Sequence, residues 1–226
     1  MSKSRGPARA AGVVLAAVLL LSGCADLHPG AAVQVGDEQI TETELDEVTS
    51  SYCEAARSSL DQQAQTVPNG FFRTGIAGLL AMREVAEQAA AELGVTVGPE
   101  DYQQQLDALR EQIASLPEDH QEAVLTVETA RLYTQAAQRT IGEDVLGGEG
   151  DEAAFTAAGA AEMQRWIEEN GVEFDPALNV TMRDGQPAPT DNSLSFAVSE
   201  GAKAGQEEQP NSALAAELPE SQRCGR

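Results

Sequence analysis

The sequence predicts a mainly α protein: five helices, a short two-stranded sheet formed by one strand before and one strand after them, and a mostly irregular C-terminal tail. Three observations predict it. Apolar residues make up 42% of the chain but aromatics only 4%, and much of the apolar share is alanine. That composition suits alanine-rich helices packed around Leu, Ile and Val better than a large aromatic core. Five stretches carry apolar residues at helical spacing, and two short alternating runs flank them.

Pro29-Gly30 punctuates the start of the fold. Val33 and Val35 alternate, Gly36-Asp37 turns, and Ile40 follows, which reads as a strand or hairpin. Thr41 then caps a first helix, with Glu44 three residues on. Leu45, Val48, Tyr52, Ala56 and Leu60 mark its buried face, and Val67-Pro68-Asn69-Gly70 ends the segment. The acidic cluster Glu42, Glu44, Asp46 and Glu47 is read as a solvated first turn that suits the positive end of the helix, rather than as a metal or acid–base site.

A second helix runs from about Phe71 to Leu93, with Ile76, Leu79, Leu80, Met82, Val85, Ala86 and Ala89. It is the most apolar of the five and the candidate for the centre of the bundle. Gly94 stops it, and Val95-Thr96-Val97 is an extended link. Gly98-Pro99 starts a third helix striped by Tyr102, Leu106, Leu109 and Ile113, which Pro117 breaks. The fourth spans about Asp119 to Ile141, along Val124, Val127, Arg131, Tyr133 and Ala137. Gly142 to Gly150 reads as a glycine-rich acidic loop without the ligand spacing of a calcium loop. A fifth helix covers about Glu152 to Asn170, burying Phe155, Met163, Trp166 and Ile167. Gly171 closes it before a second strand, Val172-Glu173-Phe174. Residues 176–226 read as mostly irregular, with a further strand possible at Leu194 to Val198.

The first residues address the chain. Lys3, Arg5 and Arg9 precede an apolar run from Ala10 to Leu21, the length of a signal-peptide core and too short to span a bilayer. The run ends in Leu21-Ser22-Gly23-Cys24, which resembles a bacterial lipobox. The expectation is a signal peptide over residues 1–23, lipidation of Cys24, and a tether over 24–31 holding the chain on the outer face of a cytoplasmic membrane. Loss of residues 1–23 leaves 11 basic against 37 acidic side chains, a formal charge of −26. Such a chain repels phosphate backbones, so nucleic acid is excluded as a partner. It also repels anionic lipid, so membrane contact is expected through the acyl chains.

Two cysteines remain, Cys53 and Cys224. An even remainder in an oxidising compartment predicts a disulfide between them, free or intermolecular thiols being the alternative. No catalytic, metal or cofactor motif stands out: there is no Cys-x-x-Cys, His-Glu-x-x-His, phosphate-binding Gly-Lys-Ser/Thr loop or dinucleotide fingerprint. His28 and His120 have no recognisable triad context, and Cys53 sits among acidic residues that disfavour a thiolate. Trp166 beside Met163 reads as core.

Val33 to Asp46, with its strand, turn and capped helix, resembles the opening of the SurA and PrsA family of extracytoplasmic chaperones. Leu93 to Asp101 is similar to the family's link between later helices. The fifth helix with Val172-Glu173-Phe174 resembles the returning helix and strand that pack onto the N-terminal segment. The resemblance covers about residues 32–175 and implies a helical chaperone domain that binds unfolded or extended segments of exported proteins. The family's parvulin isomerase domain, which commonly sits before the returning helix, has no counterpart here. No catalytic residue is therefore carried over, and no cofactor is implied. A divergent peptidyl-prolyl isomerase and a structural or adaptor envelope lipoprotein stay open as alternatives.

Overall fold

The computed structural model describes residues 29–190 and 211–225. The chain is mainly helical with a small antiparallel sheet. β1 (Ala31–Val35) and β2 (Glu38–Thr41) form a hairpin. Its turn is closed by Gln34, whose buried amide donates to the carbonyls of Gly36 at 2.8 Å and Glu38 at 2.9 Å. Gly36 adopts φ +54°, and a side chain there would strike Gln88.

α1 (Glu42–Gln62) begins where Thr41 Oγ1 accepts the Glu44 amide at 3.1 Å. β3 (Thr66–Pro68) leads directly into α2 (Asn69–Leu93), which ends at Gly94 in the left-handed region. The third helix begins later than its sequence suggests. Pro99–Asp101 form a single 3-10 turn, with Asp101 Oδ2 accepting the Gly98 amide at 2.9 Å. α3 (Gln103–Ile113) then follows.

α4 (Glu118–Val145) overruns the expected loop at Gly142 by a full turn. Helix propensity argues against glycine there, but the tertiary fold requires it. α5 (Glu152–Asn170), capped by Asp151, crosses α4 so closely that a methyl on Gly142 would stand 1.7 Å from the Phe155 carbonyl oxygen. One on Gly159 would stand 1.8 Å from that of Gln138. α4 is also the helix that touches each of the other four, so the centre is shared between α2 and α4. Its buried face runs through Ala123, Val127, Ala130, Ala137 and Ile141, while Arg131 is exposed.

β4 (Val172–Phe174) returns to pair antiparallel with β1, Val33 opposite Phe174 and Val35 opposite Val172. The sheet therefore has three strands, ordered β2-β1-β4, and not the expected two. β1 is its middle strand and is buried along its whole length, which is why it lacks polar alternation.

The tail beyond residue 175 is more regular than its composition suggests. β5 (Val180–Arg183) and β6 (Gln186–Pro189) make a hairpin around Asp184-Gly185, whose φ angles of +51° and +73° are those of a tight two-residue turn. The Thr190 amide bonds the Asn179 carbonyl at 2.9 Å, which leaves the alternate positions Pro187 and Pro189 on the side of the ladder where no amide is needed. Leu178 is buried in the main core and Met182 packs against it. Near the C-terminus, α6 (Ser212–Ala215) and β7 (Arg223–Gly225) dock on β3. The strand expected at Leu194 to Val198 lies outside the described residues.

The main core joins β1, the inner faces of α2, α4 and α5, and Leu45 of α1. A smaller cluster of Tyr102, Leu106, Leu132 and Ala136 fixes α3 to α4.

Candidate functional site

The acidic first turn of α1 is partly engaged. Arg73, on the first turns of α2, donates from Nε to Asp46 at 2.7 Å and pairs with Glu42. Burial works against the guanidinium charge, but Asp46 and Glu42 outweigh it and raise its pKa. The cluster thus joins the starts of two helices. Among the described residues no group of His, Cys, Asp and Glu is placed to hold a metal ion.

A cleft of about 230 Å³ lies between the end of α2 and the second half of α5. Ala89, Leu93 and Trp166 give it apolar surface, while Glu92, Glu162, Glu169 and Arg165 surround them. Arg165 is paired with Glu162 one turn away, so the uncompensated charge of this rim is negative. Trp166 is only 7% exposed, and its ring edge lies against the β1–β2 turn at Gly36, so it is chiefly core, as the sequence suggests. The cleft holds no nucleophile paired with a base. It is large enough for one side chain, not for a chain segment.

Exposed apolar surface is scattered. Among the described residues the exposed large apolar side chains are Phe71, Leu93, Val145 and Leu146. Phe71 and Leu93 stand at opposite ends of α2, roughly 33 Å apart at 1.5 Å per helical residue. Val145 and Leu146 end α4 among acidic neighbours.

Cys53 and Cys224 come together, their Cα atoms 5.7 Å apart, the separation of a disulfide. Both are buried, Cys53 on the inner side of α1 and Cys224 in β7. With Leu60 and Val67, and with Ala56 and Phe72 against them, they form a second apolar cluster. His120 lies near Asp119 Oδ2, at 3.7 Å. Cys24, the signal segment 1–23 and His28 lie outside the described residues, as does all of the expected tether except residues 29–31. No described helix is long and apolar enough to cross a membrane.

Sequence reasoning missed β3 and β7, the receptor and ligand of the C-terminal clasp. Three-residue strands are too short to show a period. The available signal was the cysteine pair, one member of which lies within β7.

Comparison of the chain with protein-family models, with characterised proteins and with solved structures gives no match.

Proposed function

We propose that this chain is a lipid-anchored, extracytoplasmic, chaperone-like lipoprotein that binds unfolded or extended segments of exported proteins. The observation that carries the reading is the return of α5 and β4 onto β1, because a strand after the last helix closing on the first strand is the arrangement the SurA and PrsA resemblance implies. The leader ending at Cys24 supports the location. The high negative charge supports solubility while apolar segments are bound. The test is crosslinking in intact cells followed by capture of the protein. Many exported proteins in small amounts are expected.

One observation favours a second reading, that of an adaptor for one defined envelope partner. The exposed apolar residues are far apart, and the cleft beside Trp166 is small and acid-rimmed, a shape suited to one basic side chain rather than to varied apolar segments. A single stoichiometric partner in the same capture would replace the chaperone reading with this one.

A further inference from the structure

The C-terminal residues 211–225 meet the body of the protein along β3 and the inner side of α1. β7 pairs antiparallel with it, Thr66 opposite Gly225, Val67 opposite Cys224 and Pro68 opposite Arg223. Ser212 Oγ accepts the Thr66 amide at 3.3 Å, and Asn69 donates its side-chain amide to the Ser221 carbonyl at 3.0 Å. Cys224 is fully buried in the pocket that Leu60, Val67 and Cys53 form. Along the whole segment only Ala215 and Cys224 are buried. With these two small side chains, and Leu214 and Leu218 only half-buried, little apolar area offsets the entropy of ordering such a stretch, so the hold rests largely on hydrogen bonds to β3 and Asn69 and on the sulfur bridge.

β3 is held between two helices. It starts as α1 ends, where the Gln65 amide bonds the Leu60 carbonyl at 2.9 Å, and it runs straight into α2. Helices fix both of its ends. Its partner strand comes from the far end of the chain, at a cysteine separation of 171 residues. The approach is selective at one point. Gly225 has φ +88°, and a side chain there would stand 2.4 Å from the Gln65 carbonyl oxygen.

We propose that β3 and the pocket beneath it are a strand-addition site for an extended peptide carrying a small side chain followed by glycine, occupied in this chain by its own C-terminal strand. Main-chain pairing supplies the binding, the pocket selects a small residue, and the Gln65 carbonyl selects the glycine. Oxidation locks the occupant in place. The Cys53 and Cys224 thiols exchange with one external disulfide, the two cysteines being oxidised to a bridge while that disulfide is reduced and leaves as two thiols. A dithiol reverses the step once β7 lifts, because the bridge itself is buried. The site names where an extended segment would bind under the chaperone reading, yet it holds without that reading.

The test uses the mature full-length chain with Cys224→Ser, which leaves Cys53 as a reporter. The probe is a synthetic peptide of residues 220–225 whose cysteine is activated as a mixed disulfide with thionitrobenzoate, so that capture by Cys53 releases a coloured thiol. Capture is expected to be faster by about tenfold or more than with a Gly225→Ala peptide, the cost of a non-glycine residue at positive φ. A scrambled peptide should be equally slow, and the oxidised native chain should capture nothing. Equal rates for all three peptides, or no capture, would overturn the proposal. Hydrogen exchange on the reduced native chain guards against misfolding of the variant. Amides of β3 should exchange faster than in the oxidised chain while those of α2 and α4 do not, and unchanged β3 protection would count against the site. A failed client capture in cells would leave this site standing, and a failed peptide capture would leave the client reading standing.

Discussion

Replacing Gly159 with alanine tests the closest approach in the fold. In an exposed helix the change would stabilise by about 1 kcal/mol, because alanine loses less backbone freedom. Here the new methyl would lie 1.8 Å from the Gln138 carbonyl oxygen, a backbone atom with no rotamer to escape into. Restoring a contact of about 3.3 Å requires α4 and α5 to part by roughly 1.5 Å. A gap of 0.5–1 Å already forfeits about a quarter to a half of each dispersion contact. Ile141 and Met163, both almost fully buried on these two helices, lie where the loss falls. Overpacking strain of about 1–3 kcal/mol adds to it. Against the gain in propensity, the net expectation is a loss of about 2–4 kcal/mol. Urea unfolding followed by far-ultraviolet ellipticity measures it. Gly75→Ala in α2 is the control of opposite sign: Gly75 is exposed, its added methyl meets nothing within 4 Å, and it should gain up to about 1 kcal/mol. A Gly159→Ala protein with an unchanged or higher urea midpoint would refute the close crossing of α4 and α5.

Four further outcomes are expected. The membrane-extracted protein should begin at a diacylated Cys24 by intact mass, and Cys24→Ala should release it from the membrane fraction; an unmodified chain starting elsewhere would remove the anchor. Native protein, denatured without reductant, should show no labelling at Cys53 or Cys224, and Cys224→Ser should cost up to about 5 kcal/mol in the chain-entropy model for a separation of 171 residues, less where reduced chains retain structure. Arg73→Ala should cost about 1 kcal/mol and less at high salt, because its partners Glu42 and Asp46 are partly solvated; a loss that does not respond to salt would point to packing of the arginine stem instead. Burial, and then Glu128 beside it, raises the pKa of Tyr52, while burial and Glu87 raise that of Tyr133. The folded state therefore holds these protons longer than the unfolded state, so their contribution to stability should be constant below the ordinary tyrosine value of 10.0 and fall as pH rises beyond it. Tyr52→Phe should flatten that alkaline decline, and an unchanged slope would show that other groups drive it.

What was legible depended on whether a signal was local. Thr41 as cap, Gly94 as stop and the span of α5 follow from caps and periodicity within a few residues, whereas the pairing of β1 with β4 followed from their places as the first and last short strands around the helices. The extension of α4 through Gly142 was not legible, since glycine reads as a breaker until a second helix is known to need its missing side chain. The β5–β6 hairpin carried a usable turn signal in Asp184-Gly185, but Pro187 and Pro189 count against a strand. Only the register shows that both prolines fall where the ladder needs no amide. A candidate site is harder to read still, because a surface that pairs main chain to main chain leaves no side-chain motif behind. Counting cysteines located the C-terminal clasp; nothing in residues 66–68 announces a strand.

The two ends of the chain solve the same problem by different means. β1 sits near the N-terminal end and binds strands on both sides, and all of its residues are buried, every one but Gln34 apolar, with Val33 and Val35 at 0% exposure, so burial helps to hold β2 and β4 on it. β7 near the C-terminal end offers Arg, Cys and Gly, which bury almost nothing but a sulfur. The N-terminal closure should therefore survive reduction and the C-terminal one should not. Protease digestion of the reduced native chain distinguishes them, with cleavage expected near residues 211–225 while a fragment running from β1 through β4 persists. Simultaneous loss of both would mean that the bridge supports the whole fold rather than its last strand.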